Sequence, residues 1–296
     1  MAGASPGVTV AAPAKVNLAL HVTGRRADGY HLLDTLVAFA DVGDTLTLRR
    51  ASAPALTVSG PEAAGVPDGP ENLVARAIAA APLPDGAAVA AHLIKRLPAA
   101  AGIGGGSADA AAALRGMQAL GAAPPSPEAV AALGADVPMC LVGRPLRARG
   151  IGEQMAAVPH LPDVAAVLVN PRVPVSTPEV FAALTCRENA PMPSDLPRWA
   201  DAPALAGWLS AQRNDLEAPA LAVAPLVASV LEALRGHDGC LLARMSGSGA
   251  TCVGLFADVE TAKTAATRLA AAQPGWWVAP TTLGAAPTHA RMPASA

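Results

Sequence analysis

The sequence is poor in aromatic residues and poorer in lysine. Its 296 residues include three Phe, four Trp and one Tyr. Lysine occurs only at positions 15, 95 and 263, and arginine supplies the other positive charges. A lysine here is therefore not the default surface cation. The 21 basic residues nearly balance the 23 acidic ones, which argues against a nucleic-acid binder, since those carry a basic excess. The four cysteines, Cys140, Cys186, Cys240 and Cys252, are scattered, with no C-x-x-C and no zinc spacing. They read as reduced, mostly buried thiols of a cytoplasmic protein. No window of about 18 strongly apolar, uncharged residues offers a membrane span. MAGASPGVTVAAPAK lacks the charged and apolar regions of a signal peptide. The common nucleotide signatures are missing as well. There is no G-x-x-x-x-G-K-[ST] and no Gly-Lys pair, and Ser107 stands where the dinucleotide pattern needs its third glycine or an alanine.

What is there divides into two halves. Residues 16–22 (VNLALHV) alternate, with Val16, Leu18, Leu20 and Val22 on one face. Strands are expected again at 33–40 and 44–50, parted by Gly43 and Asp44, and at 55–60. A helix follows at 71–81, then an alternating segment at 87–97 that stops at Pro98. The glycine-rich stretch after it opens onto an alanine-rich helix, expected from about Ser107 to Leu120. Ser126, Pro127 and Gly134 bound a short helix as N-cap, first-turn proline and terminator. Beyond about residue 160 come a buried strand at 164–170, a helix capped at Thr177 with Pro178 behind it, and a Pro-rich loop at 186–199. Helices are expected at 203–210 and 225–234, two strands flank SGSGA, and a helix at 259–272 precedes a strand at 276–280. The tail 285–296 is expected to be disordered. The class is α+β, with domains at 1–160 and 161–284.

Four stretches are poor scaffold material. PAKVNL sets Lys15 at the mouth of a strand and Asn17 two residues on; a lysine there otherwise only guards a sheet edge. RRADGYHLLDTL has a hairpin-type Asp-Gly, then Tyr30 beside His31. It is either an ordinary turn or a ring and an imidazole offered to a planar ligand. LPAAAGIGGGSADAAAAL carries Gly102, Gly104, Gly105 and Gly106 just before a helix. Bare backbone N–H groups and the positive end of a helix together make a phosphate site, where a loop made only for flexibility has no reason to sit. LGADVPMCL sets Asp136 among apolar residues; a partly buried Asp needs a partner, and Lys15 is one candidate.

In this order the stretches resemble the GHMP kinases, the superfamily of galactokinase, homoserine kinase, mevalonate kinase and phosphomevalonate kinase. The segment from Pro98 to Ala108 matches the superfamily's P-x-x-x-G-[LI]-G-[GS]-S-x-[AS] loop with one extra glycine, and SGSGA matches its C-terminal glycine motif. PAKVNL, GRRADGYHLL, GIGGGSADAA, GADVP, NPRVPVSTPEVF, NDLE and SGSGA follow in order over about residues 10–256. That series is similar to one branch, the kinases that act on a cytidine-diphosphate-linked methylerythritol. DGYH and GADVP are not superfamily-wide and carry the narrower likeness. Rival readings are a homoserine or mevalonate kinase, whose acceptors have no base to stack, a non-catalytic sensor of the same fold, and an RNA-binding module.

The resemblance implies a ribosomal S5 domain 2-like N-terminal half and a ferredoxin-like C-terminal half, with the active site in the cleft between them. It implies transfer of the ATP γ-phosphate to the 2-hydroxyl of the acceptor, in the methylerythritol phosphate route to isoprenoids. Pro98, Ala99, Ala100, Ala101, Gly102, Ile103, Gly104, Gly105, Gly106, Ser107 and Ala108 would wrap the ATP phosphates. Lys95 and Asn72 would lie by the adenosine. Asp136 would be the general base and Lys15 would steady charge on the transferring group. Tyr30 and Phe181 would sandwich the cytosine, His31 would bond its edge, and Asn17, Gly247 and Ser248 would contact the acceptor. Magnesium is expected with ATP, and Ser107 is a candidate ligand. The partner is a small-molecule substrate, with no nucleic acid and no membrane, and the chain is expected to be a monomer or homodimer. Two departures stand out. Met139 and Cys140 follow GADVP where the family often has aromatics, and Ile103 replaces a commoner leucine.

Overall fold

The computed structural model describes residues 7–158 and 160–284. The tail from 285, expected to be disordered, lies outside the described residues. The N-terminal half contains β1 (Val8–Arg25), β2 (His31–Ala51), β3 (Ala55–Ser59), α1 (Leu73–Ala80), β4 (Ala88–Ile94), α2 (Gly105–Ala119), α3 (Pro127–Leu133), α4 (Val137–Val142), β5 (Leu146–Gly150) and β6 (Gln154–Ala157). The C-terminal half contains β7 (Val164–Asn170), α5 (Thr177–Ala182), α6 (Ala202–Ser210), α7 (Glu217–Val223), α8 (Leu226–Arg235), β8 (Cys240–Met245), β9 (Cys252–Phe256), α9 (Val259–Ala272) and β10 (Trp277–Gly284). The α+β class holds.

The expected break at Gly43 and Asp44 is not a break. β2 runs unbroken for 21 residues, because it is paired along both edges. One edge pairs with β1 from Val8↔Leu48 to Arg25↔His31. The other serves β5 at 33–37, β10 at 39–40 and β4 at 45–51. Glycine, usually a turn signal, is needed here because β1 comes too close for a side chain. A Cβ on Gly43 would lie 2.4 Å from the Ala12 carbonyl oxygen and 2.7 Å from Pro13 Cα.

The two halves share one sheet. β10, the last strand, pairs with β7 over seven residues and with β2 at Leu283 and Gly284. The path is then β3-β4-β2-β10-β7-β9-β8. Three apolar clusters fill the molecule. The first lies between β1, β2, β4 and the helices α1 to α4, and the second between β7 to β9 and the helices α5, α7, α8 and α9. The third joins the middle of β1 to Leu97, Ala101, Ile103, β7, β9 and α6. It seats the glycine loop on both halves. Ile103 is fully buried there, worth roughly 1.5–3 kcal/mol of anchoring.

Several boundaries follow the local chemistry. Asn72 caps α1 and Ser126 caps α3. At α5 the cap is Ser176, with Thr177 at the first helical position and Pro178 at the second, one residue earlier than expected. α4, α7, β5 and β6 carry no strong periodicity and were not expected; they are short and held by their neighbours.

Gly43→Ala should lower stability by about 1–3 kcal/mol, because the clash is with backbone that cannot swing aside. Denaturant unfolding reads this, and an unchanged midpoint would contradict the close approach.

Candidate active site

Lys15 is delivered by two irregularities in the β1–β2 ladder. Between Pro13 and Lys15 the register slips, their partners being Gly43 and Phe39, and it slips again between Asn17 and Ala19. Such bulges bend a strand and re-aim its side chains. Lys15 and Asn17, two apart, share a face. Freed from the ladder, the Lys15 N–H donates to the Ile103 carbonyl at 2.9 Å. The Lys15 ammonium is 2.9 Å from Asp136 Oδ2 and donates to Asn17 Oδ1 at 2.9 Å. Lys15 is 4% exposed, so these two acceptors offset the cost of burying its charge. Asp136 immediately precedes α4, and its side chain is about a third open, at 35%.

The glycine loop lies against Lys15 on one side and SGSGA on the other. Gly102 and Gly104 adopt φ of 74° and 65°. A Cβ on Gly102 would come within 2.6 Å of the Ser246 and Gly249 carbonyl oxygens, and one on Gly104 within 3.2 Å of Lys15 Cε. Ser246 Oγ donates to the Gly102 carbonyl at 3.1 Å, and the Thr251 N–H to the Ala101 carbonyl at 3.1 Å. Asn214, from NDLE, donates to the carbonyls of Met245 and Gly247 and braces the second loop. α2 starts at Gly105 with no side chain capping it. Its first N–H groups and the positive end of its dipole face what the loop encloses. That space is a cavity of about 490 Å³. Lys15, Asp136, Ala100–Gly102, Gly104–Ser107, Gly247 and Ser248 line it. The arrangement suits a polyphosphate held by backbone, next to an ion pair that can take a proton and steady negative charge.

Family models match both halves, the GHMP kinases N terminal domain at residues 72–158 and GHMP kinases C terminal at 195–275. The 4-diphosphocytidyl-2-C-methyl-D-erythritol kinase of Dinoroseobacter shibae is 58% identical over 285 residues, covering 95% of this chain and 98% of its own. A crystal structure of 4-(cytidine 5'-diphospho)-2C-methyl-D-erythritol kinase superposes with TM-score 0.74 at 37% identity, covering 93% of this chain and 99% of that one. The chain belongs to this family of GHMP kinases. A homoserine kinase from Cytophaga hutchinsonii shares the fold alone, with TM-score 0.67 at 19% identity over 98% of both chains. Membership of the GHMP kinases implies ATP as the phosphate donor. Among the described residues no helix is long and apolar enough to cross a membrane.

Not every expected residue of this kinase reaches the cavity. Pro98, Ile103 and Ala108 are buried away from it, and Ala99 is exposed outside it. Asn72 uses both ends of its amide in capping α1: the Val74 N–H donates to its oxygen and its Nδ2 donates to the Pro67 carbonyl. Asn17 lines the cavity, but Lys15 and Thr35 engage both ends of its amide. Phe181 lines the cavity too, yet its face is covered by His31, with ring centroids 4.6 Å apart and planes 20° apart. Tyr30 is 62% exposed. His31 Nε2 is buried with no hydrogen-bond partner among the described residues.

Other residues were not expected. Thr35, Met139, Ile151, Gly152 and Thr177 line the cavity, and Thr177 Oγ1 meets Ser248 Oγ at 2.7 Å. Arg115 donates to the carbonyls of Cys140 and Ala11, tying α4 to β1. Met139 and Cys140 fill the core behind Asp136. Burial pushes the Cys140 thiol up to about 12, so it is inert.

Lys95 is the clearest departure. It is 3% exposed, and its ammonium bonds Asp44 and, at 2.8 Å, Asp109 of α2. It lies beneath the helix start rather than in the cavity. Asp44 Oδ1 also accepts the N–H groups of Arg96 and Leu97 at 2.5 and 2.9 Å, which fixes the approach to the glycine loop. One ammonium faces two buried carboxylates, and Asp109 Oδ1 has no partner among the described residues. Burial pushes Asp109 up to about 8, with the Asp44 charge adding to it. A carboxyl raised above its unfolded value favours the fold at acid pH, and that contribution is lost as pH rises from about 4 to about 8. Asp109→Asn should therefore gain Tm relative to the parent between pH 5 and pH 8. A difference in Tm that is flat across that range would contradict the raised pKa.

Proposed function

We propose that this chain phosphorylates the 2-hydroxyl of 4-(cytidine 5'-diphospho)-2-C-methyl-D-erythritol with ATP, in the methylerythritol phosphate route to isoprenoid precursors. The observation that carries the reading is the Lys15–Asp136 pair at 2.9 Å, standing in a cavity walled by the uncapped start of α2 and SGSGA. Ala100–Gly102 and Gly104–Ser107 hold the phosphates through backbone N–H groups. The acceptor oxygen attacks the γ-phosphorus and the bond to the β-phosphate oxygen breaks, so ADP leaves. The hydroxyl proton passes to Asp136 as charge leaves the oxygen, because a carboxylate is too weak a base to take it beforehand. Lys15, held by Asp136 and Asn17, steadies the negative charge on the moving phosphoryl group.

Magnesium fits this site in one way. Among the described residues there is no group of three or more His, Cys, Asp or Glu that could form a cage. Magnesium bound with ATP needs none, since phosphates and water supply most of its ligands. Ser107, a hydroxyl at the helix start, would hold it, and the ion would offset charge on the phosphates.

At the other end we assign the cytosine to Phe181 and His31. Burial, with Arg25 and Arg187 nearby, lowers the His31 imidazole below its ordinary range. A neutral ring offers one accepting nitrogen, and cytosine presents an amino donor at its edge. The base would displace His31 from the Phe181 face and give the unpartnered Nε2 a bond. Tyr30 would close over the other side. The halves 1–160 and 161–284 are the domains we assign to either side of the cleft. The four free cysteines suit a reducing cytoplasm, and we assign the chain a monomeric or homodimeric state.

Purified protein with ATP and magnesium should turn over the cytidine acceptor but not its uridine analogue, homoserine or mevalonate. Asp136→Ala should lower kcat by ~10²–10⁴ with ATP still bound. Phe181→Ala should raise the acceptor KM by about 5- to 150-fold. Turnover of homoserine or mevalonate instead would overturn the substrate assignment, and an unchanged kcat in Asp136→Ala would remove that residue from the chemistry.

A further inference from the structure

We propose that Thr35 is a positioning residue for phosphoryl transfer: its hydroxyl fixes which end of the Asn17 amide faces the Lys15 ammonium. The inference rests on Lys15 and Asp136 being the catalytic pair. Thr35 lies in β2, is 2% exposed, and pairs with Leu20 across the ladder. Its Oγ1 is 2.6 Å from the carbonyl oxygen of Ala19. A carbonyl can only accept, and a hydroxyl has one proton, so that proton is committed to Ala19. Toward any other neighbour the Thr35 oxygen can only accept.

That neighbour is the Asn17 side chain, 2.8 Å away. Only the amino end of the amide can donate to Thr35, so Nδ2 must face it. The carbonyl end, Oδ1, then faces Lys15 at 2.9 Å. A flipped amide would set its NH₂ group against the ammonium and its oxygen against the lone pairs of Thr35. Both contacts would become repulsive in a buried site, where an unmade hydrogen bond costs most. Donation therefore runs one way, from the Lys15 ammonium through Asn17 and Thr35 to the Ala19 carbonyl. Two of the three ammonium protons go to Asn17 and Asp136, which leaves one for a phosphoryl oxygen. The Asn17 backbone is held independently, its N–H donating to Ser246 Oγ at 3.0 Å. Loss of Thr35 should thus free the amide to rotate without releasing the strand.

The test compares Thr35→Val, which keeps the methyl and loses the hydroxyl, with Thr35→Ser, which does the reverse. Steady-state kinetics with the cytidine acceptor and ATP are corrected for the active fraction, titrated with a non-hydrolysable ATP analogue. Lys15→Met and Asp136→Asn run alongside. Thr35→Val should lose about tenfold or more in kcat, with both KM values little changed, and Thr35→Ser should restore kcat. If Thr35→Val does not fold, Thr35→Ala against Thr35→Ser makes the same comparison, since that pair differs only in the hydroxyl. Parental kcat in Thr35→Val, with Lys15→Met and Asp136→Asn inactive, would overturn the proposal alone. A defect in Thr35→Ser with none in Thr35→Val would also overturn it, assigning Thr35 to packing. Full turnover in Lys15→Met and Asp136→Asn would instead overturn the reading of the catalytic pair.

Discussion

The Lys15 ammonium lies where water scarcely reaches, 2.9 Å from Asp136 and 2.9 Å from Asn17 Oδ1. A charge so placed is tolerated only if its partners are held still, and much of the surrounding structure does that. Two register slips in the β1–β2 ladder turn Lys15 and Asn17 to one side. Arg115 ties α4 to β1 just beyond Asp136. Gly104 leaves room for the lysine stem, since a Cβ there would sit 3.2 Å from Lys15 Cε. Both members of the pair line the cavity, and the carboxylate, about a third open, is the more exposed of the two.

The second organising feature is backbone against backbone. Gly102 and Gly247 approach so closely that a Cβ on Gly247 would lie 2.9 Å from the Gly102 carbonyl oxygen. These loops come from opposite halves of the chain. They are held from below by Asn214 and by the third apolar cluster, and on the other flank by Asp44 and Lys95. Side chains are stripped from this wall of the cavity, and ionic and apolar groups brace its outer side. Backbone donors fixed in this way need little reorganisation as charge moves during transfer.

Some of this was legible in the residues and some was not. Caps and prolines marked the short helices, because those signals act within one turn. The glycine loop was legible because bare backbone just before the positive end of an alanine-rich helix is the pattern of an anion site. The Lys15–Asp136 contact was legible as a need for a partner, though not as a distance. β2 misled at Gly43, since a glycine required by a close strand is written like a glycine required by a turn. α4 and α7 are too short to carry periodicity. Lys95 was assigned to the nucleotide although two distant carboxylates, Asp44 and Asp109, hold it under α2; pairing across 51 residues leaves no local trace. Thr35 gave no signal, because a threonine in a strand is ordinary and its role lies in where its single proton goes. His31 over Phe181 was missed for a related reason. The motif holds Tyr30, His31 and Phe181 but does not say which ring covers which in this structure.

If the ammonium and the carboxylate act as one unit, removing either should remove nearly all that both contribute. A double-mutant cycle on kcat/KM with Lys15→Met, Asp136→Asn and the combined variant measures this directly. The combined variant should be no slower than the slower single one, to within about threefold, as for other groups that work as a unit. Losses that multiply in the combined variant would contradict it, and would mean that the two residues act separately.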